Sequence, residues 1–325
     1  MEIARDSGNG TIFCDHLWID KRVNRMSLLD RLLGRVTIER LANDLIAAAA
    51  REGQPGWRYA PDVQELHAPN EEGRVSLQNI FLEYSNARPA VRKDLLRKYV
   101  NMIVGLGQEI PKLWAIAQKA IYPVLRARAD MKLLEIESRG REKPFAPRVE
   151  IPWCEGLVVR IAYDTGPATL PIGYEELNTW GVSVDEAYDR ALQNLKALPA
   201  PTWVQTNPGF FILQSQASYE ETMLLREDVV ASCPVRGSKV FMPINRGVLL
   251  GTGTEEPNGI EAILEEALTA FQNHPWPLSP VMVVYNGNGF ESYVPSGENL
   301  VRLQALKTID VALCYRAQQK ALQEY

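Results

Sequence analysis

The spacing of apolar residues along the chain changes once, across a charged and proline-rich stretch at 138–152. Before this stretch apolar residues recur at helical spacing, and after it they gather in short β-branched runs such as Leu157–Tyr163. Three prolines and six charges make the stretch unsuited to a helix or a central strand. The sequence therefore predicts a linker at 138–152, with a helical domain at 26–137 and an α+β domain at 153–325.

The helical domain is predicted from stripes of apolar residues three or four positions apart. The stripes span Leu28–Leu33, Ile38–Ile46, Leu77–Tyr84, Leu95–Val104 and Leu113–Ile121. The loop-like segment at 54–74 has room for one short strand at Trp57–Ala60. Residues 1–25 lack periodicity, so we expect a flexible tail or an extension from an upstream start codon.

The α+β domain is predicted from capping boxes that alternate with strand-like runs. The boxes are Ser183 with Glu186, Ser218 with Glu221, and a variant, Asn258 with Glu261. Strand-like runs lie at Leu157–Tyr163, Thr202–Thr206, Gly209–Gln214, Lys239–Ile244, Gly247–Gly251 and Val281–Tyr285. Short turns at Asn245-Arg246 and Asn286-Gly287 predict hairpins. We therefore expect an α+β fold, in which an N-terminal helical unit precedes a mainly antiparallel sheet flanked by helices, the last at Leu300–Tyr315.

Composition excludes several classes of protein. The 325 residues are 46% hydrophobic and 23% charged with a net charge of -5, which argues against disorder and against a protein that coats nucleic acid. The charge is uneven, since residues 1–150 carry a net +4 and residues 151–325 a net -9. No signal peptide or membrane span is visible, so a soluble, cytoplasmic protein without membrane partners is expected. The four cysteines form no CxxC motif, and we expect buried, reduced thiols.

Two glycine-containing segments are interpreted as turns. Gly251–Gly259 follows a strand and precedes a helix, but its spacing does not match a dinucleotide fingerprint and two glutamates would repel phosphate. Asn286–Gly289 is typical of a hairpin turn. Lys119–Arg148 holds eight basic residues with few aromatics, so it favours a salt-bridged helix and linker over nucleic-acid binding.

Catalytic motifs are absent from the sequence. There is no G-x-S-x-G, no H-E-x-x-H and only three histidines. Asp164, at the end of a strand, could join Glu175 and Glu176 in an acidic site for acid–base or divalent-metal chemistry. Asp164-Thr-Gly-Pro is equally typical of a turn in which Asp bonds its own backbone. The sequence therefore assigns no cofactor, no metal ligand and no catalytic residue.

Several blocks of the chain resemble the YtpQ-like family of bacterial proteins (domain of unknown function 1444). LVVRIAYDTGPATLPIGYEELNTWGVSVDEAYDRALQNLKAL matches its strand ending in Asp, its Trp-Gly turn and the helix reaching Asn-Leu. SYEETMLL, VFMPINRGVLLGTGTEEPNGI and SLQNIFLEYSNARPAVRKDLL are similar to further blocks. Gly247 departs from the pattern, because many members are expected to carry Asp there. The resemblance implies a bacterial, soluble α+β protein and supplies no activity, cofactor or catalytic residue.

Three functional hypotheses follow. Because catalytic constellations are missing and the halves differ in charge, the sequence favours a non-catalytic protein-interaction or regulatory module that binds a protein partner or itself. The first alternative is a metal-dependent hydrolase or nucleotide-handling enzyme that uses Asp164, Glu175 or Glu176. The second is a nucleic-acid accessory protein. Arg246, with Asn245 beside it on a tight turn, is the candidate contact for an anion.

Overall fold

The computed structural model describes residues 36–69, 74–129, 133, 135–136, 147–206, 209–217, 219–273 and 277–323. The predicted tail at 1–25, the stripe at Leu28–Leu33 and most of the predicted linker lie outside these residues. Ile38–Tyr325 form one compact unit. Among the described residues, no helix has both the length and the apolar character to span a bilayer.

The N-terminal helices form where the apolar stripes predict them. They are α1 (Ile38–Arg51), α2 (Leu77–Asn86) and α3 (Pro89–Leu106), and Leu45, Ile80 and Ile103 are fully buried between them. A small antiparallel sheet packs beside them, made of β1 (Arg58–Ala60), β2 (Glu65–His67) and β3 (Arg74–Ser76). The first strand was predicted from sequence, whereas β2 and the start of β3 lie in the segment interpreted as a loop.

A four-stranded antiparallel sheet follows the short helix α4 (Trp114–Ala117). Its strands are β4 (Ile121–Ala127), β5 (Ile151–Cys154), β6 (Leu157–Asp164) and β7 (Thr169–Pro171), and β6 pairs with the other three. The helical interpretation that extended to Ile121 is wrong there, because Ile121 begins a strand that pairs with β6 along its whole length. Buried residues occupy most of β4, which hides the two-residue period of a half-buried strand. This sheet takes strands from both sides of the predicted linker, and β5 begins inside it.

A six-stranded antiparallel sheet makes up the C-terminal half. Its strands are β8 (Thr202–Thr206), β9 (Phe210–Gln214), β10 (Lys239–Asn245), β11 (Val248–Gly253), β12 (Val283–Tyr285) and β13 (Phe290–Ser292), in the spatial order β13-β12-β10-β11-β9-β8. The hairpin predicted at Asn286-Gly287 joins β12 to β13. The predicted α+β fold with antiparallel sheets is confirmed.

Helices cover both sheets. They are α5 (Tyr174–Trp180), α6 (Val184–Ala197), α7 (Glu227–Ala231), α8 (Gly259–Asn273) and α9 (Gly297–Gln323). The Glu186 N–H donates to Ser183 Oγ at 3.1 Å, as the capping box before α6 predicts. The helix predicted after Ser218 is instead a 3₁₀ turn, Glu221–Leu225, followed by α7.

Alternation along β10 places two cores on opposite faces of the six-stranded sheet. Val240 and Met242 face α8 and α9. Phe241 faces the other way, into a core shared with Leu125 of β4 and Leu157 of β6. One face of this sheet therefore packs on the four-stranded sheet, and the other is covered by α8 and α9.

Candidate interaction surface

Asp164, the strand-end carboxylate of the predicted acidic site, is occupied by structural contacts. Its Oδ2 accepts a hydrogen bond from the Tyr219 hydroxyl at 2.6 Å, and its Oδ1 accepts one from the Gly166 N–H at 2.7 Å. Tyr219 also stacks on Tyr122, with ring centroids 5.2 Å apart. Burial, followed by the contact with Asp164, raises the pKa of the Tyr219 hydroxyl. Asp164 thus closes its own turn and anchors a buried tyrosine.

Glu175 and Glu176 lie at the start of α5, and the described contacts do not join them to Asp164. Glu176 Oε2 accepts a hydrogen bond from the Gly173 N–H at 2.7 Å, so it caps its own helix. The Glu175 side chain is exposed. Within the described residues, no group of three or more His, Cys, Asp or Glu side chains is placed to hold a metal ion.

Asn245 is the last residue of β10, and Arg246 lies on the turn that leads to β11. Arg246 is exposed, whereas Asn245 is buried and its Oδ1 has no hydrogen-bond partner. An unpaired acceptor oxygen disfavours an anion at Asn245 itself. The next residue, Gly247, has a φ of +84° and donates its N–H to Glu221 Oε2 at 2.8 Å. Glycine adopts this left-handed conformation without strain, so the departure from the family pattern fits the turn.

The ion pair between Arg126 and Glu221 was missed by sequence reasoning. Arg126 Nη1 lies 3.0 Å from Glu221 Oε1, and the two side chains are only 13% and 4% exposed. Glu221 thus binds Arg126 and the Gly247 N–H, and its predicted cap partner Ser218 lies outside the described residues. The sequence offers no signal for this pair, since the partners are 95 residues apart.

The Gly251–Gly259 segment is shaped by packing. A Cβ on Gly251 would lie 3.0 Å from Cys233 Sγ, and a Cβ on Gly253 would overlap the carbonyl oxygen of Arg236. The glycines therefore permit close approach of neighbouring chain segments. Asn286 Oδ1 accepts the Asn288 N–H at 2.9 Å, which is typical of a hairpin turn.

The basic stretch at Lys119–Arg148 is only partly described. Arg126 forms an ion pair with Glu221, and Arg148 donates to the Pro171 carbonyl oxygen at 3.2 Å. Lys132, Arg139, Arg141 and Lys143 lie outside the described residues. The described part therefore offers no continuous row of free cations to a phosphate backbone.

The outer face of α9 presents large apolar side chains to solvent. Val301, Val311, Tyr315 and Leu322 are 63%, 51%, 69% and 55% exposed. At 100° per residue these four positions fall within an arc of about 80° along about 32 Å of helix. We call these four residues the α9 outer row. The same helix buries Leu303 and Leu306 on its opposite side, against the core beneath α8. Gln304, Thr308 and Gln319 lie within the same arc, so the outer face carries a row of large apolar side chains interspersed with polar ones, whereas the opposite face is covered.

Comparison with known proteins identifies no relative. No protein-family model, curated protein or solved structure matches the chain. Membership of the YtpQ-like family stays a prediction from the residues quoted above.

The polar residues predicted to form a site and the α9 outer row differ in their surroundings. The predicted polar residues are placed mainly in turns, caps and a buried ion pair, which stabilise the fold. The four side chains of the α9 outer row stay exposed to solvent in the described molecule. Exposed apolar surface of this kind marks contact surfaces. The row is therefore the best candidate for a functional surface.

Proposed function

We propose that the protein is a non-catalytic interaction module that pairs with a second copy of itself through the α9 outer row. The observation that carries the proposal is the exposure of four large apolar side chains along one helix whose opposite face is already buried. A helix that carries large apolar side chains on both its covered and its exposed face needs a second packing partner to remove the exposed ones from water.

The spacing of the row favours a helix as the partner. Val301, Tyr315 and Leu322 lie at multiples of seven residues from one another, and Thr308 occupies the remaining position of that series. Apolar residues repeated every seven positions keep one face turned toward a second helix that runs alongside. A flat or loop-built partner would not require this repeat.

The positions along the row favour a second copy of the same chain. Val301 and Leu322 are equally distant from the midpoint between Val311 and Ala312, and so are Thr308 and Tyr315. Two α9 helices packed antiparallel across a two-fold axis at this midpoint would place each Val301 against the partner's Leu322. A two-fold interface requires such a self-complementary surface.

The proposal also includes a cytoplasmic location and membership of the YtpQ-like family, and both rest on residues outside α9. Cys154 and Cys233 are free thiols, which supports a cytoplasmic location. The three blocks from Leu157 onward that carry the resemblance to the YtpQ-like family meet through two contacts, Asp164 with Tyr219 and Glu221 with Gly247. These contacts place the three blocks side by side in the fold, and the quoted residues remain the support for membership of that family.

Sedimentation velocity of the full chain over a dilution series tests the self-association. We expect a concentration-dependent dimer for the unaltered protein and a monomer for Tyr315→Lys, because the lysine would place a charge in the centre of the apolar contact. Leu113→Lys is the matched control, since Leu113 is 64% exposed but lies outside α9. A monomer at all concentrations, or equal loss of the dimer in both variants, would overturn the proposal.

A further inference from the structure

Strand β8 forms one outer edge of the six-stranded sheet. Its five residues, Thr202–Thr206, pair with β9 in an unbroken antiparallel register. Within the part of the chain that the structure describes, the backbone of Trp203, Val204 and Gln205 pairs with no other segment. In an antiparallel pair, alternate residues direct their N–H and C=O groups away from the partner strand. The outer side of β8 therefore presents unpaired donors and acceptors at the spacing of an extended backbone.

Two other outer edges of the large sheets are covered by neighbouring segments. At the opposite edge of the six-stranded sheet, formed by β13, the Phe290 ring lies 5.1 Å from the ring of Trp153 in β5. Along the outer side of β4, Thr222 Oγ1 accepts a hydrogen bond from the Leu125 N–H at 3.1 Å. Among the described residues, β8 gains no comparable cover, and Val204 at its centre is 37% exposed.

The sequence of β8 lacks the features that normally keep a strand edge unpaired. Natural edges are usually interrupted by a proline, a bulge or a charged side chain, most often lysine. Strand β8 reads Thr-Trp-Val-Gln-Thr, and its register with β9 contains no bulge. The β-branched and aromatic residues in this run favour strand pairing. Because an uncovered edge of this kind promotes aggregation, its presence indicates a partner strand.

Strand β8 is held in position by its own core contacts. Trp203 Nε1 donates to the Val229 carbonyl oxygen at 3.0 Å, and the Trp203 ring lies 5.6 Å from the Phe241 ring. The residues on either side of this tryptophan, Thr202 and Val204, are exposed. One face of the strand is therefore anchored while its outer edge stays open, so a partner would not have to order β8 first.

The side chains along β8 indicate which partner fits. Val204 pairs with Ile212, and the Ile212 side chain packs against the core beneath α8. An added strand would place one residue next to Val204 on this face, where a β-branched apolar side chain would cover the exposed valine. Neither β8 nor β9 contains a charged residue, so a charge at that position would find no counter-charge on either strand.

The size of the edge favours an extended peptide over a second folded copy. Five residues span about 17 Å and a sheet is about 10 Å thick, so the edge offers roughly 170 Å² to a partner. A standard protein interface buries about 800 Å² on each side. An extended peptide, in contrast, needs only main-chain hydrogen bonds and the contacts of alternate side chains.

We infer that the β8 edge binds an extended peptide segment of a partner protein, which adds a strand to the sheet and places an uncharged β-branched residue beside Val204. The hydrogen bonds would come from the two backbones, and the residue beside Val204 would give the selectivity. The edge shares no residue with the α9 outer row, so the inference does not rest on the proposed self-association.

Fluorescence anisotropy with the full chain and the probe fluorescein-Lys-Val-Thr-Val-Thr-Val-Lys-amide tests the inference. The valines share one face of the extended probe, and the terminal lysines keep it soluble. Two matched probes carry N-methyl groups, one on the three valines and the other on the two threonines. Because only alternate N–H groups of a strand face its partner, we expect one methylated probe to bind as the parent does and the other at least tenfold more weakly.

Two variants of the protein locate the site. Val204→Lys should weaken binding of the parent probe at least tenfold, because a charged side chain on an edge disfavours the addition of a strand. Val91→Lys is the matched control, since Val91 is 46% exposed on α3, outside the sheet, and this variant should bind as the unaltered protein does.

Three results of the binding assay would overturn the inference: no binding of the parent probe, equal weakening by the two methylated probes, or an unchanged affinity in Val204→Lys. Sedimentation velocity of Val204→Lys gives a fourth. Loss of a dimer in this variant would show that a second copy covers the edge, whereas an unchanged sedimentation profile is expected for a peptide site.

Discussion

Glu221 holds Arg126 at 3.0 Å through one carboxylate oxygen and the Gly247 N–H at 2.8 Å through the other. Arg126 belongs to β4 in the four-stranded sheet, and Gly247 lies on the turn between two strands of the six-stranded sheet. One buried carboxylate thus ties the two sheets together across their shared core.

Glu221→Gln should lower the free energy of unfolding by about 3 kcal/mol. The glutamine keeps the size of the side chain but leaves the buried Arg126 guanidinium without a counter-charge, and breaking one side of a buried pair is costly. Urea denaturation measures the change as a lower midpoint with an unaltered slope. Asp94→Asn, which breaks the exposed pair with Arg97, is the control and should change stability by less than about 1 kcal/mol. Equal effects in the two variants would contradict the conclusion that the Glu221 carboxylate stabilises the contact between the two sheets.

Glu220→Gln should make the protein more stable at neutral pH. Burial raises the pKa of the Glu220 carboxyl above its usual 4.5, with a smaller contribution from Glu221. The protonated form is therefore favoured in the fold, and this stabilisation is present at low pH and is lost as the pH rises through the raised pKa.

The glutamine is neutral at every pH and still accepts the Ser215 N–H, which lies 3.2 Å from Glu220 Oε1. Its advantage over the unaltered protein should therefore shrink as the pH falls through the raised pKa and be lost once the pH is below 4.5. Thermal melting of both proteins across this range checks the sign. A variant that is less stable at neutral pH would contradict the burial of a charge at this position.

Gly253→Ala should destabilise the fold by at least about 2 kcal/mol, because the added methyl group overlaps the backbone carbonyl oxygen of Arg236. The three nearest atoms are all backbone atoms of Arg236, so no flexible side chain could move aside. Gly287→Asn is the matched control, since that position is open and asparagine tolerates its left-handed φ of +92°. Chemical denaturation of the two variants should differ clearly, and a stable Gly253→Ala protein would show that the loop at Arg236 can move away from β11.

Cys233 should resist alkylation in the native protein. Burial raises the pKa of its thiol to about 12, so the reactive thiolate is scarce at pH 8. Iodoacetamide labelling followed by peptide mass mapping should modify Cys154, which is half-buried, before Cys233. In urea both should react, and native-state labelling of Cys233 at the rate of Cys154 would contradict its burial.

Much of the fold was predictable because the apolar residues of many helices and strands recur with a period that is visible within each segment alone. The stripes at Ile38–Ile46 and Leu95–Val104 lie within α1 and α3, and the run at Leu157–Tyr163 lies within β6. The last helix was predicted at Leu300–Tyr315, and α9 extends it at both ends. Cys233 is buried as expected, whereas Cys154 and Cys314 are only half-buried.

The rest depends on contacts between distant segments. Strand β4 was read as helix because it is buried along most of its length. The Arg126–Glu221 pair joins two segments whose local patterns suggest only a helix and a cap. The α9 outer row did leave a signal, the seven-residue series from Val301 to Leu322, but its exposure follows only from knowing which face packs on α8.

Disulfide trapping between α9 helices tests the antiparallel pairing most directly. Val301→Cys and Leu322→Cys proteins are oxidised separately and as a mixture, with the unaltered protein as the background for its own thiols. We expect a cross-linked dimer mainly in the mixture, because the two-fold axis places each Val301 beside the partner's Leu322. Efficient cross-linking of Val301→Cys with itself, or no cross-link in the mixture, would contradict the pairing.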